Sequence, residues 1–220
     1  MDKPDLSPEA LSRSFSNEGT IQGSYRPLNN IIGMWIIQEC RRDWQKQGMD
    51  LSWDAIVQAA RSAEPLKSVI NPDAPQFYAG GNMVQKIKDY CAATNQPVPE
   101  TVGAVARCVY ESLALKYRSA LEGLEAMKGE RIDSLNIVGG AINNKFLDQL
   151  IADALDREVV TGPVEGAAIG NLLTQAMALG DIKDLDALRQ VVRNSESVDT
   201  WTPNHTAAWD AAYETLLKLL

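Results

Sequence analysis

Apolar positions along this chain follow a helical rhythm over its first three fifths and then break into short runs closed by glycines. Residues 1–18 read as loop and surface helix, with Ser7 as N-cap and Pro8 at the first helical position. Residues 19–26 read as a short strand with glycines at its ends and no clean alternation. A helix follows, capped by Asn29-Asn30. Its start is nearly continuous apolar (Ile31, Ile32, Met34, Trp35, Ile36, Ile37), and it turns polar over residues 39–47. Residues 52–60 form a second helix behind Ser52, residues 69–75 an extended run broken by prolines, and residues 83–93 a third helix. The longest helix spans residues 101–127. Val102, Val105, Val109, Leu113, Tyr117, Leu121 and Leu124 step by three and four along it, and Gly129 ends it.

After residue 130 the pattern changes. Residues 134–138 give a buried-strand signal that runs into Gly139-Gly140, and a helix follows from about 143 to 155. Residues 157–161 give a second strand running into Gly162-Pro163, and a helix over about 165–179 closes at Gly180. A strand–helix–strand–helix order implies parallel pairing through a right-handed crossover. Two further amphipathic helices are expected at 184–193 and 206–220. There is no internal repeat and no low-complexity segment.

Two places carry candidate chemistry. Asn30, Met34 and Gln38 recur at i, i+4 and i+8, which puts two amides on roughly one face of an apolar helix. Buried amides need partners, either backbone or a ligand. At Gly139-Gly140 a strand enters a glycine pair and a helix opens, so a ligand can approach the backbone and the helix amides favour an anion. Ligands of open α/β sheets sit at such carboxyl ends, but a tight strand–helix turn uses the same residues. Ala141 and Ile142 follow, so this is no GxGxxG, and no Walker GK[ST] exists. Gly166 and Gly170, four apart, read as close packing, and Glu165 suits a helix start without any catalytic role. The only histidine, His205, reads as solvated in a polar loop, so no Ser/His/Asp triad can be assembled. Asp133 and Asp148 read as surface carboxylates.

Composition narrows the classes. The 220 residues are 45% hydrophobic and 23% charged, which suits one domain or one large lobe. With 21 basic and 29 acidic side chains the net charge is −8, which argues against nucleic acid and membrane-surface partners. No stretch nears the roughly 20 apolar residues of a membrane span, and the first dozen residues lack the apolar core and basic leader of a signal peptide. Cys40, Cys91 and Cys108 show no CxxC spacing, and with one histidine no zinc site is expected. Reduced thiols in a cytoplasmic protein are the expectation. Cys91 and Cys108 flank a proline-containing connection that allows them to approach.

Several segments taken in order resemble the rhamnulokinase branch of the FGGY carbohydrate kinases. They are Asn17-Glu18-Gly19, residues 30–40, Val69-Ile70-Asn71-Pro72-Asp73, Ala106-Arg107-Cys108, residues 111–117, residues 135–140, Asn144 and Gly162-Pro163-Val164-Glu165. The resemblance covers essentially the whole chain. It implies an α/β fold: an actin-like ATPase (ribonuclease H-like) lobe, incomplete, with a large helical insertion. Residues 1–27 would be loop and strand, 28–130 helical, and 131–220 the nucleotide-binding part with C-terminal helices. It implies transfer of the ATP γ-phosphate to the 1-hydroxyl of L-rhamnulose with Mg²⁺. Carried over by position, Asn30 contacts the sugar, Gln38 and the Gly139-Gly140 turn contact ATP or ADP, and Asn144 lines the nucleoside pocket.

The family's catalytic Asp, its Ser-Gly-Thr-Trp phosphate hairpin and its sugar lobe lie upstream of this sequence. No catalytic residue or metal ligand is therefore assigned within it, and the chain alone is expected to be inactive. Ala141 and Ile142 stand where many members continue with Gly and a small residue, a bulkier turn that is expected to weaken nucleotide binding. A sheet edge is expected to lie open, pairing with a separate N-terminal lobe or with a second copy. The competing readings are a non-catalytic nucleotide-binding or interaction module from a split or truncated gene, and the C-terminal half of another FGGY kinase.

Overall fold

In the computed structural model the described residues are 1–20, 23–204 and 206–220. His205, Ile21 and Gln22 lie outside them, and with them the solvated-loop reading of His205 and part of the strand expected at 19–26.

The chain opens with α1 (Pro8–Ser12), where the Ser7 hydroxyl accepts the Ala10 N–H at 3.1 Å. An antiparallel hairpin follows, β1 (Phe15–Gly19) with β2 (Tyr25–Asn29), Phe15 facing Asn29 and Gly19 facing Tyr25. Of the segment expected as one strand over 19–26, Gly19 ends β1 while Tyr25 and Arg26 open β2, which runs antiparallel to it. Thr20 N–H donates to Ser24 O at 2.8 Å, and Gly23 holds φ +72, a turn conformation that glycine adopts freely.

The next helix, α2 (Trp35–Lys46), starts later than the apolar run suggests. Asn29 ends β2 and donates to Arg13 O at 2.8 Å, and Asn30 lies in the loop, so neither caps the helix. The acceptor that holds the approach is distant in sequence: the Asp73 carboxylate takes the Ile32 N–H at 2.8 Å. The i, i+4, i+8 argument linking Asn30 to Gln38 therefore fails, because Asn30 is not helical.

Helices α3 (Trp53–Ser62), α4 (Met83–Ala93) and α5 (Val102–Lys128) complete the helical region. Ser52 caps α3 by accepting the Ala55 N–H at 3.1 Å, and Gly129 closes α5 at φ +74. A Cβ on Gly103 would stand 2.3 Å from Ala59 O, so α3 and α5 meet backbone to helix face. The start of α4 is capped from α2: Asp43 accepts the N–H groups of Asn82 (3.2 Å) and Val84 (3.3 Å), while Asn82 itself offers no side-chain cap. The extended run at 66–70 is fastened by buried side chains of α5, the Leu66 N–H to Glu111 (2.8 Å) and the Ile70 N–H to Ser112 (2.9 Å).

Past α5 comes a three-stranded sheet in the order β3-β4-β5. β3 (Ser134–Ile137) and β4 (Glu158–Thr161) run parallel with Ser134 opposite Glu158, joined by α6 (Lys145–Leu155), as the strand–helix alternation implies. β5 (Asp199–Trp201) adds antiparallel to β4, Val159 opposite Trp201, a strand the residue pattern does not announce. One core joins the helical region to α6, β4 and α9 (Ala207–Leu217). By contrast α7 (Gly166–Leu179), followed by α8 (Leu185–Ser195), has no buried residue. The close packing expected at its glycines holds only at Gly166, where a Cβ would meet Val138 at 3.3 Å; one on Gly170 would meet nothing. Among the described residues no helix is long and apolar enough to cross a membrane.

Candidate functional site

The glycine turn at the end of β3 is built by two backbone bonds to the equivalent turn after β4. Gly162 N–H donates to Ile137 O at 2.7 Å, and Gly139 N–H to Pro163 O at 3.1 Å. Gly139 sits at φ +86, ψ −172, a region essentially closed to other residues. Gly140 differs: its φ is ordinary and an added Cβ would meet no atom within 4 Å. A short 3₁₀ turn, Gly140–Asn143, then leads to Asn144, whose Oδ1 accepts the Leu147 N–H at 3.2 Å and so caps α6.

In front of Gly140 lies a cavity of about 570 Å³, within the usual range for small-molecule sites. Met34 just before α2, Gln38 of α2, Trp53 and Asp54 of α3, Tyr110 of α5, and Gly140 and Asn144 line it. No Lys or Arg is in the lining. A bound phosphate would therefore rest on backbone N–H groups at the start of the 3₁₀ turn, which lack intrahelical acceptors. Trp53 presents an indole backed by the Arg41 guanidinium, 4.9 Å from the ring. The Tyr110 hydroxyl lies beside the Asn144 side chain without a well-formed hydrogen bond. Burial pushes it up to about 12, and the Asn144 amide opposes that. Tyr110 and Trp53 escape sequence reasoning, because a tyrosine on the α5 stripe and a tryptophan at a helix start look like packing residues.

Asn30 does not share this cavity. It is exposed and lines a larger one of about 980 Å³, together with Arg13, Trp35, Asn71, Asp73 and Lys116. Lys116 Nζ stands 3.2 Å from Asp73, the carboxylate that also holds Ile32. The two cavities flank the start of α2: Met34 lines one and its neighbour Trp35 the other.

The carboxylates divide unexpectedly. Asp133 is exposed beside Arg131, but Asp148 is 1% exposed and neither of its oxygens has a hydrogen-bond partner. Burial first, then the charge of Asp199, raises its carboxyl to about 7, with Lys145 opposing. The signal was available, since Asp148, Ala152 and Leu155 fall on one helix face at i, i+4 and i+7. The three cysteines are buried and free. The Cys91 and Cys108 thiols adjoin, and their mutual hydrogen bond together with burial pushes Cys108 well above the usual thiol range. Among the described residues no three His, Cys, Asp or Glu converge as a metal cage.

Residues 2–179 match the family model of the FGGY carbohydrate kinases, C-terminal domain. The rhamnulokinase of Bacteroides thetaiotaomicron is 42% identical over 212 residues, 96% of this chain and 43% of that protein. The rhamnulokinase of Bacillus subtilis is 37% identical over 220 residues, 99% of this chain and 45% of that protein. Among solved structures, xylulose kinase from Rhodospirillum rubrum superposes with a TM-score of 0.69 at 15% identity, over 99% of this chain and 43% of that one. Ligand-bound xylulose kinase from Lactobacillus acidophilus gives 0.67 at 20% identity, over 100% of this chain and 42% of that one. At such identities these structures speak for the fold alone. The chain thus spans less than half the length of the relatives it matches.

Proposed function

This chain belongs to the FGGY family of carbohydrate kinases as a C-terminal domain of the actin-like ATPase fold, and on that premise we propose that it is the nucleotide-binding lobe of a rhamnulokinase-type sugar kinase. Completed by an amino-terminal portion, it would transfer the γ-phosphate of ATP to the 1-hydroxyl of L-rhamnulose in the cytoplasm. The observation that carries the reading is the meeting of Gln38, Gly140 and Asn144 around one open cavity at the carboxyl end of β3. The identity to rhamnulokinases favours rhamnulose over the xylulose of the structural neighbours.

In this reading each element has a definable task. The Gly139 conformation fixes the turn, and the bare Gly140 leaves room for the phosphates against the backbone. Trp53 offers a flat face to the base, and the amides of Gln38 and Asn144 orient the nucleoside. Asn30, beside the Asp73–Lys116 pair, presents hydrogen-bonding groups to a polyhydroxy ligand in the larger cavity. Magnesium would neutralise phosphate charge. Since the described residues form no cage of three ligands, it would be carried mainly by the nucleotide's own oxygens and water. Phosphoryl transfer depends on holding the phosphates from both sides, and these residues supply one side.

Titration calorimetry with ADP tests the assignment. Gly140→Val extends side-chain atoms into the cavity from a position with no neighbour to disturb. It should weaken binding by about tenfold or more, the equivalent of 1.4 kcal/mol, with an unchanged thermal melt. Equal affinity in the two proteins rejects the site.

A further inference from the structure

Arg107 lines neither cavity, yet it joins the three helices behind the smaller one. It sits on α5 in the Ala106-Arg107-Cys108 segment, with its side chain 13% exposed. Its Nη1 donates to carbonyls at the end of α3, those of Ala60 (3.2 Å), Arg61 (3.3 Å) and Ala63 (3.1 Å). Carbonyls at a helix end need donors from outside the helix. Its Nε donates to one oxygen of the buried Glu111 at 2.7 Å, and the other oxygen accepts the Leu66 N–H at 2.8 Å. The same guanidinium lies 5.5 Å from the centre of the Phe146 ring, in the first turn of α6. Phe146 in turn meets Tyr110 edge to face, with ring centres 6.2 Å apart. Tyr110 lines the smaller cavity, as does Asn144, the cap of α6 two residues before Phe146. One run of contacts therefore leads from the end of α3 through Arg107 and Phe146 to the cavity wall.

Resting on the nucleotide-lobe reading, we propose that Arg107 is a positioning residue for the nucleoside half of that site: through Phe146 it sets the first turn of α6, and so the places of Asn144 and Tyr110 in the cavity wall. It touches no ligand itself. The phosphate half is fixed by other means, since the Gly139-Gly140 turn is tied by backbone bonds to Gly162 and Pro163 after β4. The two halves should therefore respond separately to substitution. The geometry also asks for arginine in particular. A planar guanidinium can bond a carboxylate and several carbonyls along its edge while its face rests on a ring, whereas the compact ammonium of lysine keeps the charge and loses the plane. If Arg107 served only to neutralise Glu111, lysine would serve as well and the ligand would not notice the exchange.

Calorimetry with adenosine and with ADP, on the full chain well below its melting temperature, separates positioning from mere support of the fold. Arg107→Lys keeps the charge opposite Glu111 and loses the planar stack on Phe146. Phe146→Leu breaks the same run one link further on, leaving the bonds of Arg107 to α3 and Glu111 in place. Both should weaken adenosine and ADP by one common factor, about fivefold or more. Gly140→Val, by contrast, should weaken ADP and spare adenosine. Should Arg107→Lys fail to fold, Phe146→Leu decides alone. Unaltered adenosine affinity in the folded variants overturns the proposal, and so does a loss confined to ADP. The two readings fail in different ways. An original chain that binds neither ligand removes the nucleotide site, and the positioning role with it. An original chain that binds both, with variants that bind equally well, leaves the site standing and removes only the role of Arg107.

Discussion

Asp148 is the residue whose chemistry departs furthest from its surroundings. Its carboxyl sits at about 7, against 3.8 for an unperturbed Asp, because burial disfavours the charge and Asp199 repels it while Lys145 offsets only part. Below about pH 4 the group is neutral in folded and unfolded chains alike. Between about 4 and 7 the folded chain keeps a proton that the unfolded chain loses, so stability falls as pH rises through that window and is level above it. Asp148→Asn removes the titration and keeps the shape. Thermal melts should show a gain of several degrees at pH 8 and almost none at pH 4; an equal gain at both would contradict the buried carboxyl. The glycine pair offers a second contrast between neighbours. Gly139→Ala forces a side chain onto φ +86 and should cost about 1–3 kcal/mol, whereas Gly140→Ala should leave the melting temperature unchanged.

Among the elements, α3 and α5 approach closely at Gly103. At Gly103 a side chain has nowhere to go, since the obstacle is the Ala59 carbonyl and not a movable side chain. Gly103→Val should push the helices apart, cost about 1–3 kcal/mol and lower the melting temperature by several degrees. A melt within one degree of wild type would show that α3 yields without cost. Which elements the sequence discloses follows from how local their causes are. The α5 stripe, the Ser52 cap and the parallel β3–β4 pair are local patterns, and the structure has them. The start of α2 is not local, because the group that orders the approach is Asp73, 41 residues away, and Asn29-Asn30 merely look like a cap. The hairpin is concealed by short strands without alternation, and β5 is three residues of Asp, Thr and Trp that become a strand only because β4 lies beside them. At the candidate site, Gly139-Gly140 is legible as a strand–turn–helix junction. Tyr110 and Trp53 are not, since an aromatic residue on a helix reads as core until a cavity is seen in front of it.

At the scale of the molecule, one cavity holds the candidate nucleotide groups, another holds Asn30, and α2 begins between them. A ligand spanning both must pass that helix start, and the phosphates would be held from this side only. The 220-residue chain alone is therefore expected to show no turnover of L-rhamnulose with Mg-ATP in a coupled assay, and co-expression with an amino-terminal kinase portion should restore it. Steady turnover by the pure chain would contradict this division of labour. The two roles of Asn144 have a practical consequence here. Its carbonyl oxygen is committed to the Leu147 N–H, while its –NH₂ is the part left to meet an occupant of the cavity. A molecule gripped by that group also clamps the first turn of α6, so the Leu147 amide hydrogen should swap for deuterium more slowly when the cavity fills. The helix would thereby report occupancy without any turnover being needed.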